Sequence, residues 1–149
     1  IWLAMKDRSR TADRLACHSL PHESTCAFCD QEEDTVDHIL LQCVFSWQVW
    51  FHCIDRMGLM ADLWPSYVSS LVQWWTDGRK RIDKHSRKGF DTFVMLICWT
   101  LWKQRNARVF GIGMIKNEWD TVDMIFDDLR TWPQQERLED NVYPSSRVA

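Results

Sequence analysis

No stretch of this chain holds eighteen consecutive apolar residues, so nothing in it reads as a membrane span. No secretory leader is visible, because Lys6, Asp7, Arg8 and Arg10 interrupt the apolar residues at the N-terminus. A Gly-rich phosphate loop is absent. No serine or cysteine nucleophile comes with a recognisable partner set, and no paired-aspartate sequence of the polymerase type occurs. These absences argue against an enzyme. Asp120, Asp123 and Asp127 recur at helical spacing, which fits a solvated helix face better than a Mg2+ site. Neither an internal repeat nor a convincing strand pair is found. Positive charge is also in short supply: the net charge is -3, so nucleic-acid binding would have to come from a local patch. The chain begins with Ile1 rather than Met, which points to a fragment or a degenerate reading frame.

What is present is a globular balance, 46% apolar and 26% charged, over 149 residues, enough for one domain with its own core. Ten tryptophans argue that this core is rich in aromatic rings. Six cysteines without a leader favour a reducing, intracellular setting, nucleus or cytoplasm, and metal binding over disulfides.

The organising stretch runs from Cys26 to Cys43, CAFCDQEEDTVDHILLQC. Cys26 and Cys29 form a C-x2-C pair, followed at finger-like range by His38 and Cys43. Two thiolates on a tight turn, an imidazole and a third thiolate suit one tetrahedral Zn2+. No fifth candidate lies close in sequence, so the site reads as structural and closed. The competing reading is six scattered cysteines, some merely packed in the core. Cys17, Cys53 and Cys98 sit in helical patterns and are expected to be such packed thiols. His18 and His22 are weaker substitute ligands, lacking finger-like spacing. One geometric tension remains. Thr35 is a good N-cap, so His38 and Cys43 should share the helix that follows, about 140° and about 7.5 Å apart on a straight helix. Either the first turn is distorted or the imidazole reaches across.

Periodicity predicts an all-α fold, a helical bundle with a Cys-Cys-His-Cys zinc knuckle near its N-terminal end. Residues 1–8 look like a helix end, and Thr11 can cap a short helix, TADRLACHS, that Pro21 ends. The acids from Asp30 to Asp37 read as a solvated loop. The strongest pattern spans 36–57, with Val36, Ile39, Leu40, Cys43, Val44, Trp47, Trp50, Phe51 and Ile54 recurring at three- and four-residue steps and Gly58 as a stop. Leu63-Trp64-Pro65 is a break. Ser66 can cap a helix through Trp75, with Asp77-Gly78 ending it. Residues 89–110 are apolar nearly all round and should be the central helix, stopped by Gly111 and Gly113. A last helix over 116–132 would turn Trp119, Val122, Ile125, Phe126 and Leu129 inward, with Pro133 ending it. The domain is thus expected over 1–132, with a frayed tail over 133–149.

One stretch is strongly basic: Arg79, Lys80, Arg81, Lys84, Arg87 and Lys88, opposed only by Asp83. It is the best phosphate-binding candidate, and Arg105 and Arg108 could extend it if the fold brings them near. A solvated interhelix segment is the bland alternative. Trp64 and Trp75, beside breaks, are the aromatic candidates for stacking on unpaired bases.

The segment from Cys26 to Cys43 resembles the zinc-binding domain at the C-terminal end of plant non-LTR (LINE-type) retrotransposon reverse transcriptases. The likeness extends to TADRLACHSLPHESTC upstream, to DQEEDTVDHILLQC, to FSWQVW and to LICWTLWKQRNARVF, and covers roughly residues 1–112. It implies a parent polyprotein with endonuclease and reverse transcriptase domains upstream, and a zinc-bearing accessory module that helps hold template RNA or target DNA. By this resemblance Cys26, Cys29, His38 and Cys43 hold one structural Zn2+, and Arg79, Lys80, Arg81, Lys84, Arg87, Lys88, Arg105 and Arg108 supply the contacts. The alternative is a protein-interaction or structural domain, or a transposon remnant without selected function.

Overall fold

The structure is a computed structural model, and it describes residues 25–59, 61–65 and 70–142. Expectations that fall on other residues lie outside the described residues: the two N-terminal helices, Cys17, His18, His22, the Ser66 cap and the end of the tail.

The fold is all-α. A π-helical turn, His38–Gln42, leads into α1 (Val44–Arg56), a short 3-10 turn (Ala61–Leu63), α2 (Leu71–Arg81), α3 (Arg87–Phe110) and α4 (Glu118–Val142). Among the described residues the only extended pairing is an isolated antiparallel bridge, Thr25 to Glu33. α3 is the central helix. It packs against α2, α4 and the π-turn, while α1 closes the bundle against α4 and the π-turn. Its buried residues Phe93, Val94, Ile97 and Leu101 meet Val49, Ile54, Val122 and Ile125 in one core. Each such side chain contributes roughly 1.5–3 kcal/mol on burial.

The expected single helix over 36–57 is broken at Cys43. Thr35 does act as the cap, its hydroxyl accepting from the His38 amide at 3.2 Å. The ladder then widens: the Cys43 amide donates to the His38 carbonyl at 2.7 Å, five residues back. Cys43 itself is extended, φ -61 and ψ 140, and serves as the N-cap position of α1. Two carbonyls of this joint take side-chain donors. Ile39 accepts from the buried Ser46 hydroxyl, and Leu40 accepts from the Trp50 indole at 2.7 Å. At its other end α1 closes as expected at Gly58, φ +64. The amides of Gly58 and Leu59 return to the carbonyls of Asp55 and Ile54, a Schellman closure.

α2 does not end at Asp77-Gly78. It starts one residue after Ser70, whose hydroxyl accepts from the Gln73 amide at 3.2 Å, and runs on to Arg81. Gly78 is inside the helix and buried because α3 comes close there. A Cβ at Gly78 would lie 3.1 Å from the Phe90 ring. The glycine is a contact point and not a stop. Gly111, in the left-handed region at φ +65, terminates α3 as expected.

α4 turns Val122 and Ile125 into the core and Asp120, Asp123 and Asp127 outward. Trp119, expected inward, is 59% exposed and its ring is tilted against the His52 ring, 3.9 Å between centroids. Trp99, on the central helix, also faces out, with Lys103 over its ring. α4 continues through Pro133 to Val142, past the expected end at 132. A proline removes one bond of the ladder without forbidding the turns on either side.

Candidate metal centre

The knuckle is built on a short turn that folds back on itself. The Cys26 amide donates to the Glu32 carbonyl at 2.7 Å, and the Asp30 amide donates to the Cys26 carbonyl at 2.8 Å. Asp30 turns the chain in the left-handed region at φ +57, where short polar side chains are tolerated. Its carboxylate accepts from the Thr25 hydroxyl at 3.1 Å. This places Cys26 and Cys29 over the π-turn. The wide turn resolves the tension over His38 and Cys43: five residues become one turn, so the two ligands emerge on one side.

The four ligand atoms of Cys26, Cys29, His38 and Cys43 all lie within 4.8 Å of one another. The sulfurs of Cys26 and Cys43 are 3.8 Å apart, and Cys29 Sγ is 3.4 Å from His38 Nε2. A tetrahedral zinc with its usual bond lengths would set sulfur–sulfur edges of about 3.8 Å and sulfur–nitrogen edges of about 3.5 Å. Three soft thiolates and one imidazole therefore fit Zn2+ by chemistry and by spacing. The cluster can hold one zinc ion. Cys26, His38 and Cys43 are buried and Cys29 is half-buried.

The electrostatics favour thiolate at Cys26. Cys26 is drawn down to about 5, first by sharing a proton with Cys43, then by the amides of Cys29 and Phe28, against the opposing effect of burial. The Phe28 amide lies 3.4 Å from its sulfur. Cys43 is pushed up, because it keeps the shared proton and is buried. Cys53 and Cys98 are different. Both are buried in the apolar core, and burial pushes each to about 12. They are packed thiols, as the sequence suggests.

Two arginines expected at a nucleic-acid surface are found at the knuckle instead. Arg105 is 2% exposed and ion-paired with Asp34, which is equally buried. Nε of Arg105 donates to Asp34 Oδ1 at 3.4 Å, and a terminal nitrogen donates to Oδ2. Arg105 therefore forms no part of a basic surface, and Asp34 is no part of a solvated acidic loop. Arg108 is half-buried, its guanidinium 4.9 Å from the Phe28 ring and 4.8 Å from the Phe45 ring, which stack on each other at 4.6 Å. It donates to the carbonyls of Gln104 and Lys116. Burial lowers Arg108 from its ordinary value, and the nearby Cys26 and Cys43 thiolates act against that. Three thiolates around Zn2+ leave a net negative charge, and Arg108 is placed to offset it. Asp37, next to the ligand His38, accepts from the Leu71 amide at 2.8 Å and ties the knuckle to the start of α2.

The run 79–88 is a helix hairpin and not one loop. Arg79, Lys80 and Arg81 occupy the last turn of α2, where cations suit the dipole. Lys84 lies in the connection, and Arg87 and Lys88 open α3. Arg79 pairs with Asp91 at 3.2 Å, Lys80 with Asp77 at 3.1 Å and Arg81 with Asp62 at 3.9 Å. Lys84 and Lys88 are exposed. Trp64 is partly exposed against Phe51, and Trp75 is half-buried with its indole donating to Asp91 at 2.9 Å. Sequence reasoning missed Asp34, which looked like its acidic neighbours, and the zinc-side position of Arg108.

A family model described as zinc-binding in reverse transcriptase matches residues 1–50. That span contains all four ligands and stops within α1. Comparison with curated proteins and with solved structures finds no match. Among the described residues no helix is long and apolar enough to cross a membrane.

Proposed function

We propose that this chain is a zinc-stabilised, nucleic-acid-binding accessory module of a retrotransposon-derived reverse transcriptase of the plant LINE type, holding template RNA or target DNA. The observation that carries the reading is the Cys3His cluster with zinc-like edge lengths inside the span that matches the reverse-transcriptase zinc-binding family. The module is not itself catalytic: zinc here fastens the knuckle to α1 and α3, and the reaction belongs to upstream domains of a parent protein. Phosphate contacts come from Arg79, Lys80, Arg81, Lys84, Arg87 and Lys88 on the α2–α3 hairpin. Arg87 and Lys88 support this. They stand in the first turn of α3, with no acid there, where a cation costs about 0.3–1 kcal/mol against the helix dipole. Arg87 also caps the end of α2 through its Nε, whereas the exposed Lys88 side chain has no such role and suits a phosphate backbone.

The test has two parts. Native mass spectrometry should find one zinc per chain, lost in Cys29→Ser. Binding of single-stranded RNA should then weaken with salt by about 0.7 log units per log unit for each phosphate neutralised. Binding that ignores salt, or survives charge reversal at Lys80, Arg81 and Lys84, would sink the assignment.

A protein-interaction role is the second reading, and one feature favours it. Phe110, Ile112, Met114 and Ile115 are all more than half exposed on the α3–α4 connection. A partner seated there would bind with little salt dependence.

A further inference from the structure

The last turns of α2 and the start of α3 border an open groove of about 300 Å3, lined by Trp75, Thr76, Arg79, Lys80 and Arg87. Three basic residues, a threonine and a tryptophan line it. Two features distinguish it from an ordinary charged surface. First, both arginines are anchored through Nε. Arg79 Nε faces Asp91 at 3.2 Å, and Arg87 Nε donates to the Arg79 carbonyl at 2.9 Å and the Ile82 carbonyl at 3.3 Å. Among the described residues no hydrogen bond engages their terminal nitrogens, so those donors are available to phosphate oxygens. Second, Asp91 also accepts from the Trp75 indole at 2.9 Å. One carboxylate therefore fixes an aromatic ring and an arginine beside each other. The pocket is at the small end of the about 300–1,000 Å3 typical of ligand sites, a size for one nucleotide and not for a duplex.

We propose that this pocket is a single-nucleotide subsite for single-stranded nucleic acid. A backbone phosphate lies on the terminal nitrogens of Arg79 and Arg87 with Lys80 beside them, and the unpaired base lies against Trp75. Asp91 is the positioning residue. The proposal rests on the nucleic-acid reading above and adds to it where the strand sits, and why it must be single: a paired base has no free face to offer an indole.

The experiment is fluorescence anisotropy of the full zinc-loaded chain with a short labelled oligoadenylate, its duplex, and adenosine monophosphate or inorganic phosphate as competitors. The single strand should bind more tightly than the duplex, and adenosine monophosphate should compete better than phosphate. Trp75→Leu should weaken single-strand binding about fivefold or more with the salt slope unchanged. Lys80→Gln, which loses only an exposed bond to Asp77, should keep the fold and lower the slope by about 0.7. Duplex bound as well as single strand, or phosphate competing as well as the nucleotide, overturns the base contact. If Trp75→Leu and Lys80→Gln both bind normally while charge reversal at Lys84 and Lys88 abolishes binding, the pocket is wrong and the nucleic-acid reading stands. If no oligonucleotide binds at all, both fall.

Discussion

Arg105 and Asp34 stand 71 residues apart in the chain and face each other in the core, each 2% exposed. The pair joins the loop between the second and third ligands to the central helix. Removing one partner breaks a buried ion pair, which costs about 3–5 kcal/mol. Arg105→Met should lower the urea midpoint by that measure and weaken zinc binding, since Asp34 lies between Cys29 and His38. Adding Asp34→Leu to Arg105→Met should recover part of the loss. A double variant as unstable as the sum of the singles would mean the two side chains act independently.

Zinc removal should act locally. Chelation is expected to raise amide exchange across residues 25–43, while the middle of α3, buried on several sides, stays protected. Hydrogen exchange followed by mass spectrometry reads this directly. Uniform loss of protection would show instead that the metal holds the whole bundle.

Arg108 offers a sharper probe of the metal centre, because it touches no ligand directly. Arg108→Gln should reduce zinc affinity by about 10–100-fold, measured by chelator competition, with the helical content unchanged. Arg108→Lys should rescue little, since an ammonium lacks the planar contact with Phe28 and Phe45.

Alkali tests the packed thiols. Burial raises Cys53 and Cys98 to about 12 from an ordinary 9.0. Below pH 9 both folded and unfolded chains keep these protons, and the stability they lend is fully present. Between about 9 and 12 the unfolded chain gives them up first, so stability should fall with a slope of about 1.4 kcal/mol per pH unit for each thiol. Cys53→Ala with Cys98→Ala should flatten that part of the profile. At neutral pH neither thiol should react with iodoacetamide in the folded chain.

Gly78 makes a packing prediction. At an exposed helical site Gly→Ala gains about 1 kcal/mol. Here the new methyl would meet the Phe90 ring at 3.1 Å, so Gly78→Ala should gain less, and Gly78→Val should destabilise by about 1–3 kcal/mol. Thermal melts of the two variants decide it.

The ligand set and the helical class were legible in the sequence because both are local: a C-x2-C pair and a three- and four-residue apolar rhythm lie in consecutive residues. The pattern also separated the packed thiols Cys53 and Cys98 from the ligands. What stayed hidden depended on distant partners. Asp34 is one acid among several until Arg105 is known to face it. Gly78 follows an aspartate and reads as a stop, but the proximity of Phe90 makes it a point of close approach. Arg108 counts as a surface cation until Phe28 and Phe45 are seen beneath it. Trp119 obeys the helical rhythm and still points out, since its neighbour is His52 on the outer side of α1. The π-turn was visible only as a contradiction between a cap at Thr35 and two ligands five residues apart.

That turn has a consequence for α1. An extra residue between His38 and Cys43 delays the start of α1 by one step, and one step on a helix is about 100° of rotation. The His-x4-Cys spacing thus acts as a phase setting: it fixes the angle at which Val49, Trp50, Cys53 and Ile54 meet the bundle relative to the metal. Deleting one residue from Ile39 to Gln42 would leave four ligands present and still rotate Trp50 off the core.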